Sequence, residues 1–376
     1  MKKEKAGHVS ELFLKSLSLS HFRSHKKGAL TCDARPVALF GPNGAGKTNI
    51  LEAVSLFSPG RGIRRASAEE MTRRPEAIGW KLSGLLQTSN QTYEIDIRSE
   101  NGAARQVHVD NKAAPQTQLG RICRVLWLIP AMDRLWIEGA EGRRRFLDRM
   151  TLSFYPEHAE ASLAYEKAMR ERNRLLKEQI SDAHWYVALE RQMAEAGARI
   201  HQARETSMER LLDAQAATET AFPVAELELI QSEGAMPATE ADLLEALAES
   251  RFRDIAAGRT LVGPHRTDML GTYREKGVPA KDCSTGEQKA LLVSLILANA
   301  RALKDDIGAA PILLLDEVAA HLDPNRRAAL YDEICALGAQ AWMTGTEAGL
   351  FEALGDRAQY VEVTEEAGIS SLSAPH

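Results

Sequence analysis

The chain has 376 residues, a length suited to about two domains. Hydrophobic residues at 44% and charged residues at 26% exclude disorder as the main state, because there is apolar material for a large core. Lysine and arginine total 47 against 52 aspartate and glutamate, a net charge of −5, so any grip on a polyanion must come from a local basic patch.

Residues 1 to 11 are polar and Lys-rich, with no apolar segment of signal-peptide type behind them. Residues 12 to 22 alternate partly, through Leu17 and Leu19, and predict an early strand. Residues 37 to 40 (Val-Ala-Leu-Phe) stop at Gly41 and predict a buried strand. A Gly-rich turn follows, then a helix from Lys47 to about Phe57. Residues 80 to 130 are strand-like, notably 93 to 97 and 125 to 129, with Gly, Asn and Pro punctuation. The character changes near Arg149. Between Pro156 and Pro223 there is no proline and a single glycine, Gly197. Leu189, Met193, Ala196 and Ile200 recur at helical spacing, which predicts a helical module of at least one antiparallel pair, with Trp185 and Tyr186 read as core. Strand and turn sequence returns by about Gly258. A second buried strand covers 312 to 315 and ends at Asp316 and Glu317. No apolar run approaches the roughly 20 residues that a membrane helix needs, and no membrane is expected. Cys32, Cys123, Cys283 and Cys335 make neither CxxC nor zinc spacing, and are expected to be reduced thiols in a cytoplasmic protein.

Gly41-Pro42-Asn43-Gly44-Ala45-Gly46-Lys47-Thr48 satisfies GxxxxGK[ST] between a strand and a helix. The glycines let successive N–H groups face one hollow, and the helix start adds partial positive charge there. Lys47 would reach the β- and γ-phosphates, and the Thr48 hydroxyl would help hold Mg²⁺. Asp316 would hold the same Mg²⁺, and Glu317 would polarise the attacking water. Two carboxylates after a buried strand also serve as caps; here the phosphate loop upstream favours chemistry.

Asp316 lies too far downstream of Lys47 for a compact kinase or small GTPase, so a large insertion separates the two strands. Ser284-Thr285-Gly286-Glu287, opening a long apolar helix, resembles the signature motif of ABC-type ATPases, and Ala320-His321-Leu322-Asp323 resembles their D-loop. That resemblance implies that the Ser284 hydroxyl and neighbouring N–H groups grip a γ-phosphate held by another copy. Two copies then face head to tail around two nucleotides, an isologous interface. A transporter ATPase subunit is the alternative reading.

Further stretches are similar to the RecF family of SMC-related ATPases over residues 12 to 363. They are Ser20-His21-Phe22-Arg23; the continuation Asn49-Ile50-Leu51-Glu52-Ala53; Leu56-Phe57-Ser58-Pro59-Gly60-Arg61; Gly142-Arg143-Arg144-Arg145-Phe146-Leu147-Asp148; Arg172-Asn173-Arg174-Leu175-Leu176; and Gly263-Pro264-His265-Arg266-Thr267-Asp268. The resemblance implies an α/β fold, an ABC-type head with a mixed sheet flanked by helices and an inserted α-helical lobe. Residues 1–148 and 258–376 would form the ATPase lobe, and 149–257 the insertion. It implies a weak, DNA-stimulated ATPase that uses ATP and Mg²⁺. It also implies an ATP-dependent homodimer on double-stranded DNA and single-strand/double-strand junctions, working with RecR and RecO. The implied nucleotide set is residues 41 to 49 (Gly41, Pro42, Asn43, Gly44, Ala45, Gly46, Lys47, Thr48, Asn49) with Ser284, Thr285, Gly286, Glu287 and Asp323. Lys47 and Glu317 are the implied catalytic pair. Three departures stand out: no Q-loop glutamine in 125 to 133, Ser-Thr-Gly-Glu where the family more often has Ser-Arg-Gly-Gln, and no switch histidine near Thr344-Gly345-Thr346.

For DNA, residues 61 to 74 set Arg61, Arg64, Arg65, Arg73 and Arg74 against Glu69 and Glu70, and Arg143, Arg144 and Arg145 form a second cluster. Guanidinium groups suit phosphate oxygens, and no aromatic residues are interleaved for base stacking, so backbone contact is expected. Solvated faces or internal contacts are the bland alternative. His265 and Arg266 are open between buried packing and chemistry.

Overall fold

The computed structural model describes residues 12–100, 102–180, 182–237 and 239–375; the polar stretch 1 to 11 lies outside them. In chain order come β1 (Phe13–Phe22), β2 (His25–Thr31), β3 (Val37–Phe40), α1 (Lys47–Ser55), α2 (Ala68–Met71), β4 (Trp80–Gln87), β5 (Thr92–Ser99), β6 (Gln106–Val109), β7 (Lys112–Ala114), α3 (Leu119–Ile122) and β8 (Val125–Leu128). Next are α4 (Ala140–Phe154), α5 (His158–Lys177), α6 (His184–Ala216), β9 (Ala225–Gln231), α7 (Glu240–Glu249), α8 (Arg251–Ala257), β10 (Thr267–Tyr273) and β11 (Val278–Pro279). The chain finishes with α9 (Thr285–Ile307), β12 (Ile312–Leu315), α10 (Pro324–Leu337), β13 (Ala341–Gly345), β14 (Gln359–Glu366) and β15 (Ile369–Leu372).

Two compact units emerge. One holds residues up to Asp133, Thr218–Phe222 and the chain from Leu292 on; the other holds Arg134–Ala217 and Pro223–Leu291. In the first, one sheet runs β15-β14-β3-β13-β12-β8 and a second runs β2-β1-β4-β5-β6-β7. Pairing is parallel from β14 across to β8, and β15 joins antiparallel. Strands with both faces covered read as unbroken apolar runs, and Val37-Ala38-Leu39 and Ile312 to Leu315 are wholly buried. The second sheet is antiparallel and alternates; Leu17 and Leu19 of β1 face the same core as Ile50, Leu51 and Val54 of α1.

In the second unit, α5 and α6 are the expected antiparallel pair. Met193, Ala196 and Ile200 line the buried face of α6 with Tyr165 and Ala168 of α5 and Leu243 and Leu247 of α7. Each large apolar side chain buried there contributes about 1.5–3 kcal/mol. The lone glycine is explained by this packing: a Cβ on Gly197 would stand 2.7 Å from Leu243 Cδ2 and 3.2 Å from the Tyr165 ring. The unit is not purely helical. β9, alternating Ala225, Leu227 and Leu229, pairs antiparallel with β10, and β11 completes a short sheet. It also begins before residue 149, because α4 is fastened to β10: Arg143 donates to both Asp268 carboxylate oxygens at 2.7 and 2.8 Å. Trp185 is a correction. Tyr186 is buried, but Trp185 is 63% exposed. Neighbours on a helix point about 100° apart, so only one of the two can take the inner face.

Four charged groups sit at the centre of this unit with no exposure in three of them. Arg172 donates from Nη1 to Asp254 Oδ2 at 2.7 Å and Thr260 Oγ1 at 2.9 Å, and from Nη2 to Glu190 Oε1 at 3.1 Å and the Leu247 carbonyl at 3.0 Å. Arg251 closes the group by donating from Nε to Glu190 Oε1 at 2.8 Å. Asn173 Oδ1 accepts from the Thr260 N–H and hydroxyl, each at 2.8 Å. Nearby, His265 Nε2 donates to the Thr260 carbonyl at 3.1 Å, leaving Nδ1 to accept from the Tyr165 hydroxyl at 2.8 Å. Burial pushes the His265 pKa down to about 4, so the ring is neutral and structural.

Candidate nucleotide-binding site

β3 delivers the chain to Gly41, whose φ of +146° no β-carbon tolerates here, since a Cβ would stand 2.1 Å from the Val363 carbonyl oxygen of β14. Pro42, Asn43, Gly44 and Ala45 turn the loop, and Gly46, at φ +102°, is the N-cap of α1. The first turn of a helix leaves N–H groups without intrahelical partners, and these are the donors a phosphate takes. Beneath the loop lies support that the motif does not announce. His25 Nε2 donates to the Gly46 carbonyl at 3.2 Å, and burial lowers its pKa. A Cβ on Gly46 would strike the Ser370 and Ser24 hydroxyls. The repeated Ser-His of Ser20-His21 and Ser24-His25 was the available signal.

Lys47 is 6% exposed and folds over its own loop, donating from Nζ to the Gly41 and Pro42 carbonyls at 2.7 and 2.8 Å. Burial lowers its pKa, while Glu317 and then Asp316 pull the other way. That places the ammonium near both carboxylates. The Thr48 hydroxyl donates toward Asp316 Oδ1 at 3.0 Å, with Oδ2 at 3.2 Å. This closeness follows from the sheet. β3, β13 and β12 are adjacent and parallel, Phe40 stands opposite Gly345, and Leu315 opposite Met343, so all three strands end at one edge. Thr344 donates from Oγ1 to Asp316 Oδ1 at 2.8 Å and accepts from the Glu317 N–H at 2.9 Å. A hydroxyl and a carboxylate converging from two elements are hard oxygen donors of the kind Mg²⁺ takes alongside phosphate oxygens.

Other candidates occupy different posts. Asn49 donates from Nδ2 to Ser24 Oγ at 2.7 Å and accepts from Arg64 Nη1 at 2.6 Å, so its amide braces the back of α1. Asp323 caps α10, accepting from the N–H groups of Asn325 and Arg326 at 3.1 and 3.0 Å. Ser284, Thr285 and Gly286 are exposed at the start of α9. The Ser284 hydroxyl donates to Glu287 Oε2 at 2.8 Å, and the same oxygen accepts from the Ser284 N–H at 2.9 Å, a capping arrangement. Hydrogen bonds from Lys276 and then from Ser284 hold the Glu287 carboxyl pKa down to about 2.

The arginines divide. Glu52, fully buried in α1, accepts two bonds from Arg23 at 2.8 and 2.6 Å and one from Arg64 at 3.1 Å. Arg73 donates from Nη1 to the Ser24 and Gly368 carbonyls. Arg143 is paired with Asp268. The guanidinium groups of Arg73 and Arg143 are thus committed internally, and neither presents its donors to an outside phosphate. Arg144 is half-buried and donates to the Thr267 carbonyl at 2.9 Å. Arg145 lies exposed against Glu141. Arg61, Arg65 and Arg74 are exposed, and Arg65 and Arg74 have no side-chain partner among the described residues. No helix among the described residues is long and apolar enough to cross a membrane.

The sequence profile of the RecF/RecN/SMC N terminal domain matches residues 13–371. The DNA replication and repair protein RecF of Rhizobium rhizogenes is 48% identical over 364 residues, covering 94% of this chain and 97% of that protein. The protein of the same name from Brucella abortus is 44% identical over 366 residues, covering 93% and 94%. Among solved structures, the ATP complex of the recombination mediator protein RecF in the RecFOR pathway superposes with a TM-score of 0.82 at 24% identity, covering 99% of this chain and all of that one. An Smc head domain from Pyrococcus furiosus reaches 0.56 at 16% identity, covering 96% of each. With this match along nearly its whole length and the phosphate-loop edge in the same fold, the chain belongs to the RecF family and has the RecF/SMC ATPase-head fold.

Proposed function

We propose that the protein is an ATP-dependent DNA-binding protein of replication and recombinational repair, whose ATP-driven head-to-tail dimer holds DNA and whose slow hydrolysis releases it. The observation that carries the reading is the convergence of Lys47, Thr48 and Asp316 at one sheet edge, with Glu317 next in chain. In this reading Lys47 exchanges its two loop carbonyls for β- and γ-phosphate oxygens, and the loop N–H groups cradle the same phosphates. Thr48 and Asp316 hold Mg²⁺, which supplies charge neutralisation on those oxygens. Glu317 orients and deprotonates the attacking water. Ser284, with the N–H groups that follow it, completes the site of the opposing copy. The relatives' names point to DNA replication and repair and to the RecFOR pathway; on that basis we take RecO and RecR as partners, duplex or junction DNA as the bound polymer and the cytoplasm as the place of work. Family membership displaces the transporter reading. By role we take the ATPase lobe to be residues 1–148 with 258–376 and the insertion to be 149–257, a division distinct from the compact units, which part at Asp133 and within α9.

The test is mass in solution with ATP and Mg²⁺, with and without duplex DNA. Wild type is expected to dimerise with ATP and revert as ATP is consumed, faster with DNA; Glu317→Gln is expected to dimerise and stay so. Monomers in both, at ATP concentrations that saturate the site, would defeat the proposal.

The exposed Arg65 and Arg74 are the better-placed DNA contacts of the first cluster. Each phosphate neutralised adds about 0.9 to the slope of log affinity against log salt. Arg65→Ala with Arg74→Ala is expected to flatten that slope by about 2 and to weaken all duplex sequences alike. A slope equal to wild type removes both residues from the DNA face.

A further inference from the structure

No histidine stands where the switch residue of ABC-type ATPases is expected, and the structure shows a hydroxyl at work there instead. Because Leu315 is opposite Met343, Asp316, just past β12, and Thr344, still within β13, stand side by side. We infer that Thr344 is a positioning residue for ATP hydrolysis, its single hydroxyl tying the side chain of Asp316 to the backbone of Glu317. The inference rests on the ATPase reading above.

A threonine hydroxyl has one proton to give and lone pairs to receive. Thr344 gives its one proton to Asp316 Oδ1 and receives the Glu317 N–H on a lone pair, so the same oxygen joins these two groups. It is 1% exposed, and a β-branched side chain in a strand has few rotamers, so the hydroxyl is fixed. Glu317 is held at φ +55°, a left-handed conformation that is costly for a residue with a β-carbon. The Thr344 oxygen anchors the N–H of that turn. Asp316 has one other side-chain hydrogen-bond donor among the described residues, Thr48. Were Thr48 to turn to a metal ion, Thr344 would be the remaining side-chain donor to the Asp316 carboxylate among the described residues. One hydroxyl therefore sets the metal-holding group and the water-orienting residue together, and removing it loosens both.

Thr344→Val keeps the shape and deletes the hydroxyl; Thr344→Ser keeps the hydroxyl. Both are compared with wild type and Glu317→Gln by single-turnover hydrolysis and by ATP affinity in Mg²⁺ and in EDTA. Thr344→Val is expected to hydrolyse about 10- to 100-fold more slowly and to lose about tenfold of the affinity gained on adding Mg²⁺. Its affinity in EDTA should equal wild type, and Thr344→Ser should restore both quantities. If Thr344→Val folds poorly, Thr344→Ala takes its place in the same measurements. Wild-type hydrolysis with an undiminished Mg²⁺ gain in the variant overturns the inference, as does equal loss in Thr344→Ser. If wild type shows no ATP hydrolysis, the ATPase reading is what fails. The Mg²⁺-dependent gain then still decides whether Thr344 holds Asp316.

Discussion

Arg172→Met is expected to lower the stability of the helical unit by about 3–5 kcal/mol, the usual penalty for removing one partner from a buried ionic cluster. Arg172, Glu190 and Asp254 have no solvent exposure, so the carboxylates cannot turn to water when the guanidinium goes. Glu190 keeps Arg251, whose side chain reaches it from a partly exposed position. Asp254 keeps only neutral donors, the Ser250 hydroxyl at 2.8 Å and the Leu261 N–H at 3.1 Å. The change also removes one donor from the Leu247 carbonyl, which keeps the Ser250 hydroxyl, and one from the Thr260 hydroxyl, which stays tied to Asn173. Arg172→Lys should recover only part of the loss, because a point charge cannot reach along three directions as the planar fork does. Thermal unfolding with hydrogen exchange across α5 and α6 checks this; a melting profile and protection equal to wild type would show that the cluster is not a keystone.

Ser284→Arg is expected to bind ATP normally yet fail to pair. Nucleotide affinity resides in the phosphate loop, which the substitution leaves alone. The helix should survive, since a lost N-cap costs about 1 kcal/mol and residues 288 to 300 of α9 are buried throughout. At the interface the expected loss is larger. A hydrogen bond to a charged acceptor contributes about 1.5–3 kcal/mol, and two-fold symmetry spends it twice, so dimerisation should weaken by about two to four powers of ten. Sedimentation in the Glu317→Gln background, with ATP affinity measured alongside, gives the answer. A doubly substituted protein that pairs as well as Glu317→Gln alone would remove the shared-site mechanism.

What could be read from the sequence was what is local. The phosphate loop is a single turn whose glycines are dictated by backbone geometry, as the near-collision of Gly41 with Val363 makes concrete. Asp316 and Glu317 end a short buried strand, which a run of four apolar residues marks unaided. Side-chain fates decided by distant partners were not readable. Arg143, Arg144 and Arg145 look alike in a row, yet helical rotation sends the first inward to Asp268 and the third outward to Glu141. Arg172-Asn173 and Gly263 to Arg266 look equally like site motifs. They are braces of the second unit, because Glu190, Asp254 and Thr260 come from elsewhere along the chain. β9 alternates, but it is short and lies within a stretch of helical character, which masks it. Thr344 carries no signal in the sequence, since its use depends on strand register.

The order of strands around β3 bears on how the protein is born. The strand that carries the phosphate loop leaves the ribosome well before both of its neighbours, β13 and β14, which follow only after β12. At typical synthesis rates of about 5–20 residues per second, the roughly 300 residues in between keep Val37 to Phe40 waiting for something like 15 to 60 seconds. A nascent chain therefore cannot assemble the sheet edge that presents the phosphate loop until β13 and β14 have emerged, and a polypeptide truncated before β13 carries the motif without the strands that flank it.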